Sequence, residues 1–513
     1  MPKKLYLYGL PVLIILLLGF IHLPHPFHGD QAGYMVGAKE LDQGGRLYID
    51  YWDNKQPGIF FFYWLAGLLF GFSEVGVHSL ELLIFCFLTI LIVFSLRHYF
   101  HYPWMSSFVP ITTIGVYYCI TSVWHLSQLE IIVSLPLFLC AWLSSIIGEN
   151  RYRQAIRWFM SGVSAGMAVV FKLVLAPIPI IMWLVVITIR LRFEGLRSRK
   201  RILWDVLSAF LGGLITLAMV AAWFASNDSL FELWQTTFVY PMQAFVDAPS
   251  AGLRRFIGSM YWFGKGMATL ILLAFFVMVN WRSIELETVT LQMIGWLIIG
   301  VVVILIQRFS YWQYHFLLLI LPIGVLSVRG IDAILSKYSV TNTLTGRKIK
   351  PIVLAICLVF FAFSPIIPIW GKKAGVFFRE VLKGTSWRQA YQANLNKKYK
   401  RVLESTQFLK EDNSNKPIYV FGDPLYYFLT QKRQAIPEDG WAWEFYMPEQ
   451  WASLISKLDH AKPIYIFISN DYADLIKIKL PGLYKFLDSY YSEYSHVDEG
   501  MWYRLNNTSS KLL

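Results

Sequence analysis

The chemistry open to this chain begins with the ionisable residues at the ends of its apolar runs. Asp30, in His28-Gly29-Asp30-Gln31, follows the first apolar run, Leu5 to Ile21, by a few residues. A carboxylate held there, partly shielded from water, can act as general base toward a hydroxyl or amine. It can equally cap the helix expected from Gln31 to Leu41, because Asp is a strong N-cap residue. The same polar segment, 22–56, also carries Glu40, Asp42, Asp50, Asp53 and Lys55, the last just ahead of Pro57. Long ordered loops are usually functional. Glu130 opens one apolar run and Lys172 closes another, which suits either a structural ion pair or a polar cavity. Arg254, Arg255 and Arg308 can bind a lipid phosphate or simply snorkel to headgroups. His22, His25 and His28 with Asp30 offer imidazole and carboxylate groups of the kind that hold a divalent metal ion. His25, His28 and Asp30 are therefore candidate ligands, with ordinary interfacial polar residues as the alternative.

The elements that must position these groups are membrane spans. Of 513 residues, 56% are hydrophobic and 15% charged, against roughly 45–50% and about 25% in soluble domains. That composition excludes an ordinary soluble enzyme and reads as a polytopic membrane protein. The net charge of +13 follows from basic cytoplasmic loops, so no nucleic-acid partner is expected. Cys86, Cys119, Cys140 and Cys357 all lie in apolar runs without paired spacing, which gives no disulfide or zinc framework.

Eleven spans are expected, at about 5–21, 78–96, 105–123, 130–147, 156–171, 174–190, 203–224, 265–281, 289–306, 315–329 and 351–369. The first is an uncleaved anchor, because His22-Leu23-Pro24-His25-Pro26 follows it in place of a small-residue cleavage site. With the N-terminus in the cytoplasm and the tail after Trp370 left out, 18 Lys and Arg fall in inner segments and 8 in outer ones, as the positive-inside rule requires. The apolar stretch Pro57 to Phe72 is read as a helix at the outer interface. Were it a full crossing, the basic stretch Arg190 to Arg201 would fall outside, against the rule.

After Trp370 the composition changes, and the tail holds 20 of the 46 basic and 16 of the 33 acidic residues. Two echoing segments, Lys416 to Phe421 and Lys462 to Phe467, read as buried strands, with an amphipathic stretch from Glu449 to Leu458 between them. The expected architecture is an all-α membrane domain, 1–370, that includes the outer loop 22–56, followed by an extracytoplasmic α/β domain, 371–513, with a partly parallel sheet. No Gly-rich phosphate loop follows either strand, so the tail reads as a packing or acceptor-docking module.

Taken in order, several segments carry a resemblance: Gly29-Asp30-Gln31-Ala32-Gly33-Tyr34, Ala38, Gly45-Arg46-Leu47-Tyr48, Asp53-Asn54-Lys55-Gln56-Pro57 and Tyr63-Trp64. Together they resemble the first outer loop of GT-C-fold membrane glycosyltransferases of family 39 type. That group includes protein O-mannosyltransferases and the aminoarabinose transferases of lipid A. Glu130, the stretch from Gly166 to Pro177 with Lys172, the segment from Gln307 to Pro322 with Arg308 and Tyr314, and the stretch from Lys416 to Arg433 extend the likeness over most of the chain. The chain departs from the pattern at Gly33, Asn54, Gln56 and Gln313.

The resemblance implies a bacterial inner-membrane enzyme that takes a sugar from a polyprenyl-phosphate carrier and inverts its anomeric centre. The acceptor would be an outer-face glycan, lipid or protein. Asp30 would be the base, Lys55 would neutralise the leaving phosphate with Lys172 and Arg308 assisting, and Glu130, Tyr34 and Tyr314 would support the site. Reading the residues alone, a secondary transporter or lipid flippase is the rival, although no comparable halves are found in the sequence. A catalytically silent relative is the third reading.

Overall fold

The computed structural model describes residues 2–506 except 147–149, 195–198, 248–250, 280–286, 309, 342–350, 385, 413 and 442–445. Arg197, Arg282 and the basic stretch 347–350, which the topology reading uses, lie outside the described residues.

Among the described residues, six helices are long and apolar enough to cross a membrane: Glu74–Leu96, Leu173–Phe193, Arg199–Ser226, Gly252–Val279, Thr288–Ile306 and Gln313–Ser336. A seventh crossing is possible if Val353–Phe363 and Ile367–Leu382, bent by 69° at their junction, make one span. This falls short of the eleven expected, and the reasons are local. Tyr8–Phe20 and Leu129–Ser145 are shorter apolar helices. The stretch expected at 105–123 is broken into a 3₁₀ turn, Pro103–Phe108, a π turn, Ile111–Gly115, and a short α-helix, Val116–Ile120. Arg151–Phe171 is one continuous helix, but Arg151, Arg153 and Arg157 load its first two turns with charge. Pro57–Phe70 has 14 residues, about 21 Å at 1.5 Å per residue, which is less than the roughly 30 Å of a hydrocarbon core.

The chain divides into two compact units that interleave along the sequence. One comprises Met1–Leu23, His78–Val220 and Pro249–Arg379; the other comprises Pro24–Val77, Ala221–Ala248 and Glu380–Leu513. Grouping by contact thus joins residues 24–77, which take in most of the polar segment 22–56, to the tail, whereas a cut at 370 divides the chain by composition.

Within the first unit, small residues let helices approach closely. A Cβ on Gly162 would lie 1.8 Å from the Ala209 carbonyl oxygen, and one on Gly212 would lie 2.0 Å from that of Phe159. These contacts bring Arg151–Phe171 against Arg199–Ser226, beside the fully buried Trp158. Buried Arg190 and Asp205 pair with each other.

Within the second unit, a four-stranded sheet has the order β1-β2-β4-β3, with β1 Ile418–Phe421, β2 Tyr465–Ser469, β3 Tyr491–Val497 and β4 Gly500–Leu505. The two strands read from the sequence pair in parallel, Ile418 opposite Tyr465, and β4 runs antiparallel to both β2 and β3. Both β1 and β2 are buried along their whole length, which explains their continuous apolar runs. The amphipathic stretch between them forms the helix Pro448–Ala461, whose Trp451, Leu454 and Leu458 enter the core with Tyr419, Phe421 and Ile466.

Candidate active site

Asp30 is the first residue of the helix Asp30–Asp42, and the cap position belongs to Gly29, with φ 47° and no side-chain capping bond. The capping role considered for Asp30 is therefore not the one it takes. Its Oδ1 accepts a hydrogen bond from the indole Nε1–H of Trp441 at 2.8 Å. A carboxylate in the first turn of a helix is also favoured by the dipole. Just upstream, the His28 backbone N–H donates to the Gln31 side-chain oxygen at 2.9 Å.

The helix carrying Asp30 is braced from two directions in its unit. The Tyr51 hydroxyl reaches the Gly33 carbonyl at 2.8 Å and Asp439 Oδ2 at 3.3 Å. Asp439 Oδ1 in turn accepts the Trp441 backbone N–H at 2.9 Å. Tyr34 is fully buried and meets Phe60 and Tyr63 edge to face, at 5.8 and 5.4 Å between ring centroids. It packs Asp30–Asp42 onto Pro57–Phe70.

Lys55 follows a tight turn in which its own backbone N–H donates to Asp53 Oδ1 at 3.0 Å. Its Nζ donates to Asn54 Oδ1 at 2.9 Å and stands 3.8 Å from Asp53 Oδ1. The Tyr48 hydroxyl holds the Lys55 carbonyl at 2.8 Å. Asp53 and Asp439 are both buried. Burial pushes the Asp53 carboxyl up, with Lys55 opposing and the Asp30 charge adding to the rise. Burial, reinforced by Asp53, pushes Asp439 well above the usual carboxylate range. Asp30, Asp53, Lys55 and Asp439 thus share one electrostatic neighbourhood.

The other predicted pair forms in the first unit. Lys172, immediately after the helix Arg151–Phe171, donates to Glu130 Oε1 at 2.8 Å, and His315 Nδ1 meets the same oxygen at 2.9 Å. His315 Nε2 faces the Ser310 hydroxyl at 3.0 Å. Both ring nitrogens of His315 thus have a partner, Nδ1 on the Glu130 carboxylate and Nε2 on the Ser310 hydroxyl, which also donates to the Gln307 carbonyl at 3.3 Å. Glu130 is 2% exposed and Lys172 21%.

The loop ahead of Glu130 is held by a second buried carboxylate. Glu81 Oε2 accepts from the Ser127 backbone N–H at 2.6 Å, the Ser127 hydroxyl at 2.7 Å and the Tyr117 hydroxyl at 3.0 Å. This fixes Ser127 at φ 51°, a conformation rarely populated without such support. Tyr314 stacks edge-on against His315, with centroids 4.7 Å apart. Arg308 is exposed, and its carbonyl accepts the Ala251 backbone N–H at 3.0 Å.

The histidines go elsewhere. His25 Nδ1 lies 3.1 Å from the Tyr391 hydroxyl, and among the described residues no group of three or more His, Cys, Asp or Glu side chains is placed to hold a metal ion. Sequence reading missed Trp441, Asp439 and Tyr51 around Asp30, and His315, Ser310 and Glu81 around Glu130. The Asp-Gly step at 439–440 is a turn signal, and His315 sits in the segment already singled out, but only the fold reveals what either turns toward.

No family model matches the chain, and no curated protein matches it. Solved structures do. ArnT from Cupriavidus metallidurans, bound to undecaprenyl phosphate, aligns with a TM-score of 0.61 at 12% identity, over 96% of this chain and 97% of that one. The same protein in the apo state gives 0.59 at 12% identity with the same coverage. At this identity the likeness is one of fold, and it extends over nearly the whole of both chains. The chain is an integral membrane protein with the GT-C type of fold that its loop motifs resemble. ArnT is a solved protein that it resembles in fold.

Proposed function

We propose that the chain is an inverting glycosyltransferase that moves a sugar from a polyprenyl-phosphate carrier to an acceptor on the outer face of the membrane. The observation that carries this reading is Asp30, a carboxylate at a helix start oriented by an indole N–H, with Lys55 and Asp53 in its electrostatic neighbourhood. Its setting is a fold shared with a protein whose structure holds undecaprenyl phosphate.

In this mechanism Asp30 takes the proton from an acceptor hydroxyl or amine, whose lone pair forms the new bond to the anomeric carbon. The bond from that carbon to the phosphate oxygen breaks, and its electrons leave with the polyprenyl phosphate. Fixed cations offset the charge that gathers on the leaving group. Lys55 is assigned this task with Arg308 and Lys172, and Glu130 and His315 set the position of Lys172.

The reading includes eleven crossings, a cytoplasmic N-terminus, a catalytic region 1–370, an extracytoplasmic domain 371–513 and placement in a bacterial inner membrane.

The test compares lipid extracts by mass spectrometry from a deletion background expressing wild type or Asp30→Asn. Accumulation of one polyprenyl-phosphate sugar in the mutant alone is expected, with both proteins present in the membrane. Identical profiles, or full transfer by Asp30→Asn, overturn the assignment of Asp30 as base.

A further inference from the structure

We propose that the turn Asp439-Gly440-Trp441 orients Asp30 and that Trp441 is the positioning residue of the proton-accepting carboxylate. This rests on the reading of Asp30 as the base, and it gives the tail a part in the chemistry beyond packing or acceptor docking.

The indole Nε1–H lies 2.8 Å from Asp30 Oδ1, a short distance for a donor to a carboxylate. Trp is a donor only, and its N–H does not ionise at working pH. It can therefore fix the plane of the carboxylate without competing for the proton that Asp30 must take.

The turn is built to hold that indole. The Trp441 backbone N–H is tied to Asp439 Oδ1, and Asp439 Oδ2 to the Tyr51 hydroxyl that also holds the Gly33 carbonyl of the Asp30 helix. The Gly440 N–H donates to the Tyr446 hydroxyl at 3.1 Å, and its carbonyl accepts the Gly422 N–H at 3.1 Å. Lys398, paired with Asp423 at 3.1 Å, stands 5.5 Å over the Trp441 ring.

Two glycines make the contact possible. Gly440 has φ 73°, and a Cβ there would sit 1.8 Å from the Val420 carbonyl oxygen. Gly29, directly before Asp30, has φ 47°, and a Cβ there would sit 2.8 Å from Trp441 Cζ2. Any larger residue at 29 strains the backbone and pushes at the indole together. Both ends of the contact are thus shaped by backbone conformations that side chains disfavour, as found where strain is tied to function.

The test uses the full-length protein with two readouts: affinity for undecaprenyl phosphate, and transfer in the deletion background scored by the polyprenyl-phosphate sugar left untransferred. Trp441→Phe keeps an aromatic ring in the turn and removes the N–H together with part of the indole that lies against Gly29. It is expected to bind undecaprenyl phosphate within about twofold of wild type and to transfer at least roughly tenfold more slowly, the loss of one hydrogen bond to a charged group. Gly29→Ala, which moves the indole from the other side, is expected to show the same split.

Wild-type transfer by Trp441→Phe while Asp30→Asn is inactive overturns this inference and leaves the base assignment intact. Equal losses of affinity and transfer in both variants also overturn it, since they mark a structural role. Full activity in Asp30→Asn removes the base assignment and this inference together.

Discussion

Removing the ammonium beside Glu130 is the sharpest probe of the first unit. Glu130 is 2% exposed and Lys172 21%, with 2.8 Å between Nζ and Oε1. At that separation an effective dielectric near 20 gives an attraction of about 6 kcal/mol, most of which offsets the desolvation of both groups. Breaking such a pair from one side leaves an uncompensated carboxylate and costs about 3–5 kcal/mol. Because Lys172 keeps a fifth of its surface in contact with solvent, and because His315 at 2.9 Å still supports Oε1, the lower end applies, about 3 kcal/mol.

Lys172→Met should therefore unfold at a clearly lower temperature than wild type when purified in detergent and followed by tryptophan emission. Adding Glu130→Gln removes the stranded charge and keeps an acceptor for His315, so the double variant should recover about 2 kcal/mol of the loss. The same pair of proteins tests the assignment of Lys172 to the donor phosphate. Stability should return in the double variant while affinity for undecaprenyl phosphate stays at least tenfold weaker. A Lys172→Met protein as stable as wild type, or a double variant less stable than the single, would refute the reasoning about the pair. Restored affinity would remove Lys172 from the phosphate site.

Two further outcomes concern the second unit. Asp53 and Asp439 have carboxyls raised by burial, so they bind protons more tightly folded than unfolded. Their contribution to stability is present below the ordinary carboxylate range, near pH 4, and is lost as pH rises through the raised folded values. Asp439→Asn should therefore raise the unfolding temperature more at pH 8 than at pH 5, and an equal shift at both would contradict the burial argument. Gly440→Ala should destabilise the unit by roughly 3 kcal/mol or more, from a strained φ and a clash with the Val420 carbonyl. Limited proteolysis of the tail would report this loss, and unchanged resistance would show that the turn adapts.

Much of the architecture was legible because the signals are local. Apolar runs give helices, and the continuous apolar stretches Ile418–Phe421 and Tyr465–Ser469 give parallel buried strands. Of the two readings open for Glu130 and Lys172, an ion pair or a polar cavity, the structure shows the ion pair. The span count was less legible. Hydropathy over a window does not register the break at Ile111–Gly115 or the bend between Val353–Phe363 and Ile367–Leu382.

The candidate base shows the division most clearly. By itself the sequence determined that a carboxylate would stand just after the first apolar run, near a lysine and ahead of Pro57, because chain order alone sets that spacing. What Asp30 would do was open between capping and proton transfer, since both need the same residue at the same place. Only the tertiary structure shows the cap position at Gly29 and the indole of Trp441 brought to the carboxylate from 411 positions away. A hydrogen bond closed over that distance follows from packing and leaves no periodicity in the sequence to read.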